Sequence, residues 1–148
     1  MALFSRTPDH PGEHAVLRDC TPGAKGLKKF SAGDIAVIDA ANISRPEAQT
    51  LVELQPSAVV NVARFSTGSI PNCGPHMLLD ADIDLLEGLG EEFISEFKDG
   101  KKAHIGDDGK VYVADKVVGT GQKVSRERAD KNFKAAQSAL IDHMESYF

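Results

Sequence analysis

The chain has 148 residues, with 17 basic and 22 acidic side chains and a formal net charge of −5. That length fits one domain whose core is large enough to stand alone, and 41% hydrophobic with 26% charged residues is an ordinary globular composition. Six per cent aromatic residues and no Trp leave little material for a base-stacking platform or an aromatic cage. Residues 78–100 hold eight acidic groups against one basic, the wrong sign for a surface that releases counterions from phosphate, so no nucleic-acid partner is expected.

Cys20 and Cys73 form no CxxC pair and have no His at zinc spacing, which points away from a zinc site or a disulfide framework and toward a reducing cytoplasm. No apolar run approaches the length of about 18 residues that a membrane span needs. The opening Met-Ala-Leu-Phe-Ser-Arg-Thr-Pro lacks the apolar centre of a signal peptide, and Ala2 rules out myristoylation. No direct membrane insertion is expected.

Pro8, Pro11 and Gly12 predict an extended arm over residues 1–12. A short strand follows within Glu13–Cys20. Thr21-Pro22 reads as a cap with Pro at the first helical position, opening a short basic helix that ends near Phe30. Gly33-Asp34 turns into the apolar strand Ile35–Asp39. Ser44 with Glu47 three residues on, and Pro46 between them, is a capping-box pattern for a helix over 45–54. Ala58–Val62 is a strand apolar enough to be covered on both faces, as in a parallel sheet. A polar loop, 63–75, leads into a short helix through Met77, Leu78 and Leu79, and Ile83–Leu86 is another strand.

Phe93, Ile94 and Phe97 mark one face of a helix over Gly90–Phe97. Lys101–Ile105 and Lys110–Ala114 are strands around Gly106-Asp-Asp-Gly109, a hairpin signal. Residues 119–122 read as a Gly/Thr/Gln linker, and Ser125 caps a last helix reaching about Tyr147. Its stripe is Ala129, Phe133, Ala136, Leu140 and Met144. The expected fold is an α/β domain with a mixed sheet and a long C-terminal helix.

The loop from Asn61 to Pro75 leaves the carboxyl end of a predicted parallel strand, the edge where open α/β sheets bind ligands. Ser66, Thr67 and Asn72 offer hydroxyl and amide groups, Gly68 and Gly74 permit close backbone approach, and Arg64 can hold an anion. These six are the candidate ligand-binding residues. The alternative is a structural turn in which Asn72 caps the next helix. It is not a phosphate loop, because no Gly-Lys-Ser/Thr follows. Cys73 and His76 are conceivable as a nucleophile pair but show no orienting carboxylate. Asp80, Asp82 and Asp84 alternate, yet Leu85 and Glu91 fill the sixth and twelfth places counted from Asp80. The Gly of a calcium loop is therefore missing, and a solvated acidic surface is the better reading. No catalytic residue, metal or cofactor is assigned. Phe133, Leu140, Met144 and Phe148 on the terminal helix are candidate contacts for a second protomer or partner, and a homo-oligomer is expected.

Two resemblances add to this. Gly33-Asp-Ile-Ala-Val-Ile-Asp39, Ala58-Val-Val-Asn61, Lys98-Asp-Gly-Lys101 and the Asp107-Asp-Gly109 hairpin resemble the phosphohistidine swivelling domain of phosphoenolpyruvate-utilising enzymes, over residues 31–114. That likeness implies a β/β/α layout. Its Thr-(Ser/Cys)-His-Ala loop falls opposite Pro71-Asn72-Cys73-Gly74, so Cys73 stands where the phosphorylated His belongs and His76 comes one turn too late.

Over almost the whole chain, Phe4-Ser-Arg-Thr-Pro-Asp9, Gly33–Asp39, Ala58–Asn61, Gly68-Ser-Ile-Pro-Asn-Cys-Gly-Pro75 and Lys98-Asp-Gly100 resemble the N-terminal domain of the SteA family. These are actinobacterial cytokinetic-ring proteins of thiamin-pyrophosphokinase-like type. That resemblance implies a swivelling-like domain over 13–118, with 119–148 as linker and helix leading to a thiamin-pyrophosphokinase-like domain outside this chain. It also implies a non-catalytic role in septation and cell separation, action with the membrane protein SteB, and a place at the septal membrane face for the full-length protein. Any kinase-like activity would belong with that other half. The alternative function for this chain is a phosphotransfer or nucleotide- or pyrophosphate-linked module of a thiamin-pyrophosphokinase-like enzyme, for which Cys73, His76 and the loop hydroxyls are the groups on offer.

Overall fold

The computed structural model describes residues 15–68 and 70–145. The expected arm over 1–12, and Phe148, lie outside the described residues.

Four strands run parallel and adjacent: β1 (Ala15–Asp19), β2 (Ile35–Ile38), β3 (Ala58–Asn61) and β4 (Asp84–Glu87). Two helices make the crossovers from β2 to β3 and from β3 to β4: α1 (Arg45–Leu54) and α2 (Gly74–Asp80). Ser44 closes the predicted capping box on α1, its Oγ accepting from Glu47 N while its own N–H donates to the Glu47 carboxylate. A short helix, α3 (Glu92–Glu96), then carries the chain to β5 (Lys102–Ile105), antiparallel to β1 on its free side. The predicted hairpin joins β5 to β6 (Lys110–Val113), with Gly109 at a φ of 79°.

Two strands were not expected from the sequence. β7 (Lys116–Thr120) pairs with β6, and β8 (Gln122–Lys123) pairs with β4. The strand order is β7-β6-β5-β1-β2-β3-β4-β8. Its two edges are consecutive in the chain, separated by Gly121 alone, so the sheet curls until its ends nearly meet. Gly119, Thr120 and Gln122 are therefore strand residues joined through Gly121, and not a linker. Their glycines serve contact: a Cβ on Gly119 would strike the Phe93 ring, and one on Gly121 would strike Glu87 O and Leu89. The expected basic helix over 21–30 is also reduced, to one turn of 3-10 helix at Gly26–Lys29. Gly26 lies so close to the Asp19 backbone that it has no room for a side chain.

Strand alternation splits the core in two. Leu17, Ile35, Val37, Ala58, Val60 and Leu86 point inside the curled sheet, where Phe93 of α3 and Phe97 just after it stack at 4.8 Å. Ala36, Ile38, Val59 and Leu85 point outward to α1, α2 and the long C-terminal helix α4 (Arg126–Glu145). The architecture is a mixed α/β sheet, nearly closed, with a long terminal helix. None of the helices among the described residues is long and apolar enough to cross a membrane.

Candidate functional site

Alternation also sets the polar chemistry at the carboxyl end of β3 and β4. Glu87 shares the outward face with Leu85 and is buried. A carboxylate there must find partners, and it finds one on each oxygen. Oε1 accepts from Phe65 N at 2.9 Å, and Oε2 accepts from Arg128 Nε and Nη2 at 3.2 and 2.9 Å. Arg64 Nε lies 3.8 Å from the same Oε2, an ion pair too long for a hydrogen bond. The Arg64 side chain is about half exposed (48%), and Arg128 is one-third exposed.

These groups line an open cleft of about 670 Å³ whose far wall is the β7–β8 junction, Thr120, Gly121 and Gln122. Two guanidinium groups face one carboxylate, which leaves a surplus of positive charge in a concave site. Such an arrangement can take an oxyanion in bidentate fashion.

The six candidate ligand residues do not all converge there. Arg64 is the one that lines the cleft. Thr67 is bonded to Asn42, whose Oδ1 accepts from both its N–H and its hydroxyl. Asn72 Nδ2 donates to Ile43 O and Phe65 O, tying the loop to the segment after β2. Gly74 fits against Ile43, where a Cβ would clash. Gly68 adopts a φ of 81° with open space around it. Ser66 Oγ is buried with no partner among the described residues. Asn61 acts as an extra peptide unit: it donates to Ala40 O and accepts from Ala40 N and Ala63 N. The loop is thus stitched to its neighbours, and Arg64 is its reach into the cleft.

Glu87 and Arg128 escaped sequence reasoning. Glu87 sat in an acidic run, and only its place two residues after Leu85 in a strand signals that it shares the outward face, under the helices. Arg128 sat on the polar side of an amphipathic helix, 41 residues from its partner.

His76 has an orienting carboxylate, supplied by Asp130 of α4, with Nε2 and Oδ1 2.7 Å apart. Its ring also meets Phe133 edge-on at 5.9 Å, so the pair pins α2 to α4. Cys20 lines a smaller apolar hollow of about 220 Å³ with Leu27, Ile38 and Leu51. Burial, followed by the nearby Asp19 and Asp99 carboxylates, pushes its thiol up to about 11, which suppresses the reactive thiolate. Among the described residues no cluster of His, Cys, Asp and Glu is arranged to hold a metal ion.

On α4, Ala129 and Ala136 are buried while Leu140, Ile141 and Met144 are exposed, at 44%, 55% and 52%. No protein family, no curated protein and no solved structure matches this chain.

Proposed function

We propose that this chain is a non-catalytic regulatory module that binds a small oxyanion in the cleft between Arg64 and Arg128 and presents α4 for assembly. The observation that carries this reading is the convergence of two arginines on one concave site at the carboxyl edge of parallel strands. Exposed apolar side chains on the outer end of α4 support assembly, as a homo-oligomer or with a partner. The sequence resemblance supports placing the module in a septation protein that acts with a membrane partner such as SteB.

Phosphotransfer is the weaker reading. In His76 the Nε2 atom is engaged by Asp130 and Nδ1 is buried, while Cys73 merely precedes α2.

Titration calorimetry with inorganic pyrophosphate tests the binding reading. Saturable binding by the full chain, weakened about tenfold or more in Arg64→Ala, is expected from loss of one charge-assisted contact. Equal heats for both proteins would refute a site at these arginines.

A further inference from the structure

Glu87 occupies the place that a ligand's own oxygens would take. It is the carboxylate already held by Arg128, and it is the nearest anion to Arg64. An incoming oxyanion must therefore compete with it. A singly charged ligand that draws Arg128 away exchanges one carboxylate for another. It also strands a side chain that is only 2% exposed, so the exchange gains nothing. A ligand with two or more charges can engage both guanidinium groups and outweigh the loss.

The same contact fixes α4. Among the described residues, three side-chain pairs and a helix cap hold its first turns. Arg126 pairs with Asp80 on the exposed surface, and Asp130 pairs with His76. Ser125 Oγ accepts from Arg128 N, and Arg128 itself reaches Glu87. Exposed pairs contribute little; the Arg128–Glu87 pair is the one with a buried partner, and it is the one that borders the cleft. A ligand that takes Arg128 thus removes the strongest polar tie between α4 and the sheet.

Resting on the anion-binding reading above, we propose that Glu87 is a built-in competitor for the cleft. It admits only oxyanions carrying two or more charges, of the phosphate or pyrophosphate type, and its displacement from Arg128 loosens the first turns of α4. The cleft and the assembly helix are then two ends of one switch.

The test uses the full chain with two probes, inorganic pyrophosphate and acetate. Binding is followed by calorimetry, and amide hydrogen exchange is followed over residues 126–136. The expected result is binding of pyrophosphate but not acetate, with exchange in α4 rising about tenfold when the site fills, the scale of one lost charge-assisted contact. In Glu87→Gln, which keeps an acceptor for Phe65 N, acetate should gain binding. Exchange in α4 of this variant should be fast already and respond little to ligand. Arg128→Gln provides a second variant: it should show the same fast exchange without ligand, so the conclusion does not hang on one protein folding. Pyrophosphate binding with unchanged α4 exchange, or acetate binding as well as pyrophosphate to the unmodified chain, overturns the competitor role and leaves the anion site standing. No binding of pyrophosphate overturns both.

Discussion

Removing Arg128 and removing Arg64 should have unequal effects on stability, although both are arginines of the same cleft. Arg128 is the charged partner of a buried carboxylate, whereas Arg64 stands 3.8 Å from it and is half exposed. Arg128→Ala leaves Glu87 with the Phe65 N–H and the long Arg64 ion pair, a cost of about 2 kcal/mol once the partial exposure of the arginine is discounted. Arg64→Ala should cost under about 0.5 kcal/mol. Urea denaturation of the two variants measures the difference, and equal midpoints would mean that Glu87 draws its compensation elsewhere. Individual side chains in the site were the part least legible from the chain. Arg64 was readable because it follows a strand at a binding edge. Glu87 and Arg128 were not, because burial of a charge depends on which face of a strand it takes and on a helix 41 residues away.

Local signals did better where the physics is local. The Ser44/Glu47 box, Pro46 and the Gly109 turn each bond within a few residues of themselves, and each reappears where the sequence puts it. Residues 35–38 and 58–60 showed as uninterrupted apolar runs because helices or the sheet interior cover both their faces. β7 and β8 were missed for the opposite reason. β8 has two residues and takes its pairing from β4, while the glycines beside it resemble flexible punctuation although contact requires them. Substitutions at the two kinds of position should differ in severity. Ser44→Ala removes one cap for about 1 kcal/mol. Gly121→Ala forces a Cβ against Glu87 O and Leu89, for about 3 kcal/mol, the upper range of overpacking. Thermal denaturation of both ranks them. A smaller loss at Gly121 would mean that the junction has slack.

At the level of the whole molecule, α4 is the element that leaves the domain. Its early residues Ala129 and Phe133 pack on the core and on His76, and Leu140, Ile141 and Met144 continue outward uncovered. If assembly uses this end, molar mass by light scattering should rise with concentration for the unmodified chain. It should stay monomeric for Leu140→Asp/Met144→Asp. A mass that is monomeric throughout would move self-association off this helix.

The closure of the sheet also constrains how the chain becomes folded while it is being made. β1 is synthesised first, yet one of its neighbours, β5, lies more than eighty residues downstream, and β4 waits for β8. Pairings of such long sequence separation form slowly. A nascent chain that has emerged only as far as the β5–β6 hairpin still exposes a bare strand edge at β4, beside the most apolar strands of the molecule, in the condition most prone to aggregation. Lys123 marks the point at which that edge is covered, so protection from misassociation arrives with the last strand and not gradually along the ribosome's progress.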